Sequence, residues 1–377
     1  MEASVATPAV TPVERRAATS RSGRLLVLDG LRGVAAFGVI NDHVQSDALQ
    51  MLIPGRALAV DFFWVLSGFV LALAYDDRLK RDMSALEFMR IRIIRFYPLY
   101  LLALIIGIAR FLVVAAKGWV PMSPSEVGFA AVFGLLFLPF PPLFASTRNS
   151  LFPLNGPAYS LFYELVINFI YAVIARFLTL RVLSVILAIS AILVVVIVPA
   201  HAPGAGWKWP DVDAGSVRVT YCFFAGVMVY RVRSRMTFPA LPAWLAVAVY
   251  LVLIAIPATG VWRDYYDVVV ILFCMPLLVA CAAGSVVKGR TARIFAAMGM
   301  LSYGVYVVHV PLAGIIDLVV VIHFNLHLPG YAMVLAVATS AALLAWAADR
   351  FYDAPVRRWL SRRLVGAKAR TAAGQHG

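Results

Sequence analysis

The sequence predicts an all-α fold, a polytopic membrane helix bundle with about ten transmembrane helices and one re-entrant or tilted segment. Two observations support this class. Hydrophobic residues make up 62% of the 377 residues and charged residues only 14%, with a mean hydropathy of +0.87. A soluble domain is about one quarter charged. The apolar residues also fall into eleven separate stretches, and a helix needs about 20 apolar residues to cross a membrane.

The eleven apolar stretches account for the predicted helices in chain order. They cover roughly residues 25–45, 57–75, 96–116, 127–144, 158–175, 182–199, 215–230, 242–260, 265–285, 295–320 and 330–349. The stretch 127–144 is the weakest candidate for a span, because it is short, ends in the turn-forming sequence LPFPP and has no basic cluster on either side.

The distribution of basic residues predicts the number and direction of the spans. If residues 127–144 do not cross, 25 of the 33 Lys and Arg residues fall in loops on one side, and only six fall on the other. Basic loops mark the cytoplasmic side. We therefore predict ten spans with both ends in the cytoplasm: a tail at residues 1–24, a transmembrane domain at 25–350 and a basic tail at 351–377. The six residues on the opposite side are Arg56, Lys117, Arg148, Lys208, Arg218 and Arg263.

Composition also excludes several classes of protein. The low charge and high hydropathy exclude a soluble enzyme and a disordered chain. The net charge of +14 does not indicate nucleic-acid binding, because no soluble segment is long enough to fold alone. Cys222, Cys274 and Cys281 lie in apolar runs without metal-ligand spacing, so they are predicted to be core residues and no metal site is predicted.

The first predicted span carries Asp29, Arg32 and His43. An ionisable side chain within a span is costly unless it pairs or lines a cavity, so each is a candidate for function. Arg32 and His43 share one helix face, within about 20°, and lie about 16 Å apart along it. Asp29 is one turn before Arg32 and can pair with it. A membrane anchor plus a structural histidine would produce the same pattern, but the shared face favours a functional stripe.

Three other spans carry acidic residues or a histidine. Asp61 lies near the outer end of the second span, and Glu164 lies about 9 Å below the outer face. His309 lies about 21 Å from the cytoplasmic start of its span. Two interpretations of Glu164 remain open: a role in function, or membership of a buried structural pair. Together with His43, and with the neighbouring Asp42, these residues predict a polar cluster in the outer half of the bilayer.

A second cluster is predicted at the inner edge of the third span. Arg92 and Arg95 lie there, and guanidinium groups suit the geometry of phosphates. A positive-inside anchor explains the same residues. In the second span, Ser67 and Gly68 predict a point of close helix packing.

These residues fall in motifs that resemble a known family. The motifs, in chain order, are LDGLRGVAAFGVINDH with Arg32 and His43, DFFWVLSGF, RIIR followed by FYPLY, GPAYSLFYE, and LSYGVYVVHVPL. Over about residues 25–360 the chain resembles the integral-membrane acyltransferases of acyltransferase family three. These O-acylate bacterial glycans, lipopolysaccharide, exopolysaccharide, peptidoglycan and some macrolides. One departure is Tyr159, which stands where the family usually has Trp.

The resemblance implies a bacterial inner-membrane enzyme. It would transfer an acyl group, acetyl by default, from acyl-CoA to a hydroxyl of an envelope or exported glycan, which can be lipid-linked. An alcohol needs a base to attack a thioester, and His43 is the candidate. Its orienting partner is expected to be Glu164 or Asp61. His309 completes the candidate catalytic set, and Arg32, Arg92 and Arg95 are the candidate acyl-CoA ligands.

Three alternatives to this function remain open. The acceptor can be a macrolide-type small molecule. A proton-coupled secondary transporter would also use intramembrane Asp, Glu, Arg and His, although no internal repeat is visible. An inactive scaffold is disfavoured by the Arg32–His43 pair. Direct transfer and transfer through an acylated residue are both compatible with the sequence.

Overall fold

The computed structural model describes residues 12–43, 53–119, 122–257, 260–326 and 328–364. Side chains are described for the same residues, except 12–24, 42–43 and 321–323.

Eleven helices, α1 to α11, correspond to the eleven predicted stretches. Seven of them are long and apolar enough to cross a membrane. The helices α4, α5 and α8 are shorter apolar helices. The remaining helix, α1, has described side chains over only part of its length. The described residues contain no strand beyond one isolated bridge, so the all-α polytopic fold is confirmed. The helices are α1 Pro12–Gly38, α2 Leu58–Arg81, α3 Ala85–Ala116, α4 Pro124–Leu135, α5 Ala158–Ile174, α6 Leu180–Ile197, α7 Val212–Val232, α8 Ala243–Ala255, α9 Val261–Ala282, α10 Gly289–Val320 and α11 Gly330–Leu364.

Contacts between helix ends define two faces of the bundle. At the basic face, Arg231 at the end of α7 pairs with Asp76 near the end of α2 (2.6 Å) and bonds to the carbonyl of Leu178, just before α6. At the far face, the N–H of Gly55, before α2, donates to the carbonyl of Ile254 at the end of α8 (2.8 Å). Successive helices alternate between these faces, with α4 as the exception. In the described part of the chain, ten helices thus alternate in direction, seven of which are long and apolar enough to cross a membrane.

The helix α4 enters and leaves the bundle by the far face. Its 12 residues span about 18 Å, too little for a ~30 Å hydrocarbon core. It ends beside the middle of α3, where the hydroxyl of Tyr100 donates to the carbonyl of Gly134 (2.7 Å). The chain then returns to the far face, where the indole N–H of Trp209 donates to the carbonyl of Phe140 (2.6 Å). These contacts agree with the prediction that this segment is re-entrant or tilted.

Close helix crossings hold the bundle together around α2. A side-chain carbon added at Gly68 would collide with the backbone carbonyl of Phe223 in α7, and one at Gly226 with the carbonyl of Val65. The predicted packing role of Gly68 agrees with this geometry, since small residues let helix backbones approach closely in membranes.

We expect Gly68→Ala to destabilise the protein by about 1–3 kcal/mol, because the added methyl group forces α2 and α7 apart. Gly128 is the matched control: it is also helical, in α4, but nothing lies within 4 Å of an added carbon. Gly128→Ala should leave stability unchanged or raise it. Thermal unfolding of the detergent-purified variants measures both effects, and equal melting temperatures would contradict the crossing geometry.

Candidate active site

A central cavity of about 140 Å³ lies between α1, α2, α3, α5 and α10. Each of the five sequence motifs contributes to its wall, although the motifs are spread over most of the chain. Phe63, Trp64 and Phe96 are among the residues of the apolar part of the wall. The polar lining consists of Arg32, Ser67, Arg92, Arg95, Ser160, Glu164, Ser302, Tyr303 and Tyr306.

Glu164 of α5 is the acidic residue that lines the cavity. Its Oε1 accepts a hydrogen bond from the hydroxyl of Ser67 (2.6 Å) and pairs with the guanidinium of Arg92 (2.9 Å). The guanidinium of Arg92 also lies over the ring of Phe96, 4.6 Å from its centroid. One carboxylate oxygen therefore holds a serine and an arginine from two other helices.

Arg32 lies at the junction of α1 and α10. It pairs with Asp29 (3.0 Å), as predicted from their spacing. Its Nε donates to the hydroxyl of Ser302 (2.8 Å), and a terminal nitrogen donates to the carbonyl of Gly299 (2.7 Å). These bonds fix the orientation of the guanidinium relative to α10.

Side-chain exposure locates the mouth of the cavity at the basic face. Arg32 and Arg95 are 32% and 37% exposed, whereas Arg92 and Glu164 are 13% and 12% exposed. Arg95 faces the carboxylate of Asp353, 4.0 Å away. The cavity thus leads from partly solvated arginines to a more enclosed carboxylate.

The inner part of the cavity holds two hydroxyl groups. Those of Ser160 and Tyr306 lie 2.6 Å apart, and the Ser160 hydroxyl also donates to the carbonyl of Pro157 (2.9 Å). The indole N–H of Trp64 donates to the carbonyl of Ser160 (3.3 Å). This network connects α2, α5 and α10 at the level of the cavity.

The structure describes the side chain of His309 but only the backbone of His43, the two predicted catalytic histidines. His309 is fully buried one turn beyond Tyr306 in α10, and its Nδ1 lies 2.7 Å from the Tyr306 carbonyl oxygen. His43 ends the short helix Ile40–His43, whose backbone packs against α10 and α11. The side chains of His43 and Asp42 lie outside the described residues.

Asp61 lies apart from the cavity, towards the far face. Both of its carboxylate oxygens accept hydrogen bonds from Arg218, at 2.9 and 2.6 Å, and a third nitrogen of Arg218 donates to the carbonyl of Ala205 (2.6 Å). Asp61 is 0% and Arg218 is 3% exposed. The sequence predicts Arg218 as a basic residue outside the membrane, but it is buried within α7 as the partner of Asp61.

The structure also brings together two clusters that the sequence separates. Arg92 is predicted at the inner edge and Glu164 in the outer half, yet they form an ion pair. The reason is that the chain before α5 folds into the bundle, with Phe152 and Asn155 both buried. Consequently α5, only 17 residues long, begins below the far face and carries Glu164 deeper.

Several residues that line the cavity lie outside the set predicted from the sequence. Ser160 precedes Glu164 by four residues and Tyr306 precedes His309 by three, so each shares a helix face with a predicted site residue. Helical spacing was the signal that could have identified them. Ser67, predicted to serve packing alone, instead donates to Glu164.

The arrangement provides the parts for handling an anionic substrate. Arginines at the mouth can bind phosphates, and a buried carboxylate with nearby hydroxyls can position a polar reactant. Among the described residues, no group of three His, Cys, Asp or Glu side chains could hold a metal ion.

Comparisons with known proteins identify the family of the chain. The chain is 39% identical over 182 residues to "Protein 2 in picA locus" of Rhizobium radiobacter, an alignment that covers 46% of this chain and 94% of the relative. No solved structure matches the chain. The sequence profile of a family described as "Acyltransferase domain" matches residues 25–349. That range includes every residue lining the cavity, and the chain therefore belongs to acyltransferase family three, the integral-membrane acyltransferases.

Proposed function

We propose that this membrane acyltransferase transfers an acyl group, acetyl by default, from acyl-CoA to a hydroxyl of an envelope or exported glycan. The observation that carries the proposal is the convergence of all five motifs on one cavity whose mouth holds Arg32 and Arg95. A cytoplasmic polyanion needs such a mouth. The acceptor follows from the family and not from the cavity.

The donor would enter from the basic face. Positive charge in loops marks the cytoplasmic side, so we assign the basic face to the cytoplasm of a bacterial inner membrane. The phosphates of CoA would lie near Arg32 and Arg95, with Arg92 deeper, and the pantetheine arm would extend inward. The ~16 Å that a continuous helix would place between Arg32 and His43 would separate the phosphates from the thioester.

The chemistry proposed is direct transfer with His43 as general base. His43 removes the proton of the acceptor hydroxyl as its oxygen attacks the thioester carbonyl. The carbon–sulfur bond then breaks, and the proton passes to the departing thiolate, which leaves as the CoA thiol. Glu164 and His309 are proposed as positioning residues beside this step. The pairing of Asp61 with Arg218 favours a structural role for Asp61 over an orienting one.

The test compares two variants in purified membranes supplied with acyl-CoA and glycan acceptor. His43→Ala should reduce transfer by about 10²–10⁴-fold, the usual contribution of a general base, while acyl-CoA still binds. Arg95→Ala should instead weaken acyl-CoA binding. His201→Ala, which removes a histidine paired with Asp211 at the far face, is the control and should retain activity.

Two results would overturn the proposal. Near-normal acyl transfer by His43→Ala would show that His43 is not the general base. Acceptor flux across the membrane without consumption of thioester would favour the proton-coupled transporter.

A further inference from the structure

The last part of α11, Ala354–Leu364, carries arginines beside the mouth of the cavity. Arg357 pairs with Asp353 (2.8 Å), and the same carboxylate faces Arg95 of the cavity lining (4.0 Å). Asp353 is 1% exposed, so its carboxylate is enclosed between these arginines. This part of the predicted C-terminal tail is therefore attached to the mouth of the cavity.

The positive charges at the mouth are largely compensated. Arg32 pairs with Asp29 at 3.0 Å. Arg357 pairs with Asp349 at 3.1 Å in addition to Asp353. The guanidinium groups at the mouth can still donate hydrogen bonds to the diphosphate, but a donor carrying further negative charge would be stabilised by additional positive charge nearby.

Uncompensated positive charge lies immediately beyond the mouth, on Arg358 and Arg362. They are four residues apart on one side of the helix. Together with Arg357 and Ser361 they line a shallow, open groove whose described lining comes from this helix alone. Both are exposed, and within the described ranges no carboxylate lies within 4 Å of either guanidinium. Arg357 thus borders the groove on one side and the mouth of the cavity on the other.

We propose that Arg358 and Arg362 bind the phosphomonoester on the ribose of CoA, and so select the 3′-phosphorylated donor. This inference rests on the proposed function, in which acyl-CoA is the donor. CoA carries a diphosphate next to its pantetheine arm and a phosphomonoester farther from the thioester. With the thioester in the cavity, the diphosphate lies at the mouth and the monoester reaches the groove. Paired guanidinium groups match the doubly charged monoester.

The test measures binding of CoA and of dephospho-CoA, which lacks the monoester, to the purified protein in nanodiscs of neutral lipid. The wild type should bind CoA about tenfold more tightly than dephospho-CoA, an effect typical of charge-assisted hydrogen bonds. In R358Q/R362Q this ratio should fall to about one. R358K/R362K should keep most of the preference, because it retains the charge. R290Q/R293Q, which removes two arginines near the start of α10, is the control and should keep the wild-type ratio.

The possible outcomes separate this inference from the proposed function. If R358Q/R362Q prefers CoA over dephospho-CoA as strongly as the wild type does, the groove is not the monoester site. That result would leave acyl-CoA as the donor. A wild type that binds neither ligand overturns both proposals. Lipid phosphates share this chemistry, so the measurement is repeated with phosphatidylglycerol in the nanodiscs. The arginine variants could change how strongly phosphatidylglycerol stabilises the protein and leave the preference for CoA over dephospho-CoA unchanged. In that case the groove is a lipid site and the inference is wrong.

Discussion

Replacing Arg218 by methionine is expected to lower the free energy of unfolding by about 3–5 kcal/mol, the cost of leaving one member of a buried ion pair unpaired. Asp61 would then be a fully buried carboxylate without its two guanidinium hydrogen bonds. The substitution also removes the hydrogen bond to the carbonyl of Ala205, which ties the loop before α7 to the bundle. Thermal unfolding of the detergent-purified protein measures the loss.

A double variant separates the cost of an unpaired charge from the value of the pair. Asp61→Leu combined with Arg218→Met removes both charges, and buried ion pairs replaced by apolar residues of similar size often cost little. We expect the double variant to be more stable than Arg218→Met alone, with a residual loss of about 1 kcal/mol for the bond to Ala205. Lys117→Met, an exposed substitution at the end of α3, is the control and should stay within about 0.5 kcal/mol of wild type.

The interpretation would fail if the double variant were at least as unstable as Arg218→Met. That result would mean that Arg218 stabilises the protein mainly by packing or by its bond to the loop. If the double variant instead kept its stability but lost part of its acyl-transfer activity, Asp61 would again be a candidate catalytic residue.

The topology could be predicted from the sequence because it depends on properties that act along the chain. Apolar stretches of sufficient length give the helices, and the asymmetry of basic residues excludes the stretch 127–144 as a span. The 12-residue length of α4 agrees with that exclusion. The ion pair between Asp29 and Arg32 is local too, since one helical turn separates the two residues.

The long-range pairs could not be predicted, because they depend on how far each helix is inserted. Glu164 meets Arg92 only because the chain before α5 is folded into the bundle. Arg218 is within reach of Asp61 only because α7 packs along α2 with these two residues at the same level. Hydropathy reports which stretches cross a membrane, but it does not report their relative depth.

The C-terminal boundary shows the same limitation. The sequence separates a transmembrane domain ending at 350 from a basic tail, because the charge density changes there. In the structure α11 continues to Leu364 and contributes the buried Asp353 beside Arg95. A run of arginines predicts the side of the membrane on which a segment lies, whereas its contacts depend on a few carboxylates that face it.

The second large effect is expected from Glu164→Gln, which should reduce transfer by about 10²-fold or more. The amide retains an oxygen that can accept from Ser67, but it removes the negative charge that pairs with Arg92. Arg92 would then be a largely enclosed cation without its counter-charge, in the cavity where the donor is expected. The matched variant Ser67→Ala removes a hydrogen bond to the same carboxylate oxygen without changing its charge, and should cost about tenfold at most.

A double variant distinguishes a role in the reaction from simple neutralisation of Arg92. If Glu164 only compensates Arg92, removing both charges in Glu164→Gln with Arg92→Met should restore the rate of transfer at saturating acyl-CoA. If the carboxylate positions the acceptor or the base, the double variant should stay as slow as Glu164→Gln. We expect the second result, because the Oε1 atom of Glu164 holds both Ser67 and Arg92 at the cavity wall, an arrangement that fixes the carboxylate more firmly than neutralisation requires. Recovery of transfer in the double variant would contradict this role and reduce Glu164 to a structural partner of Arg92.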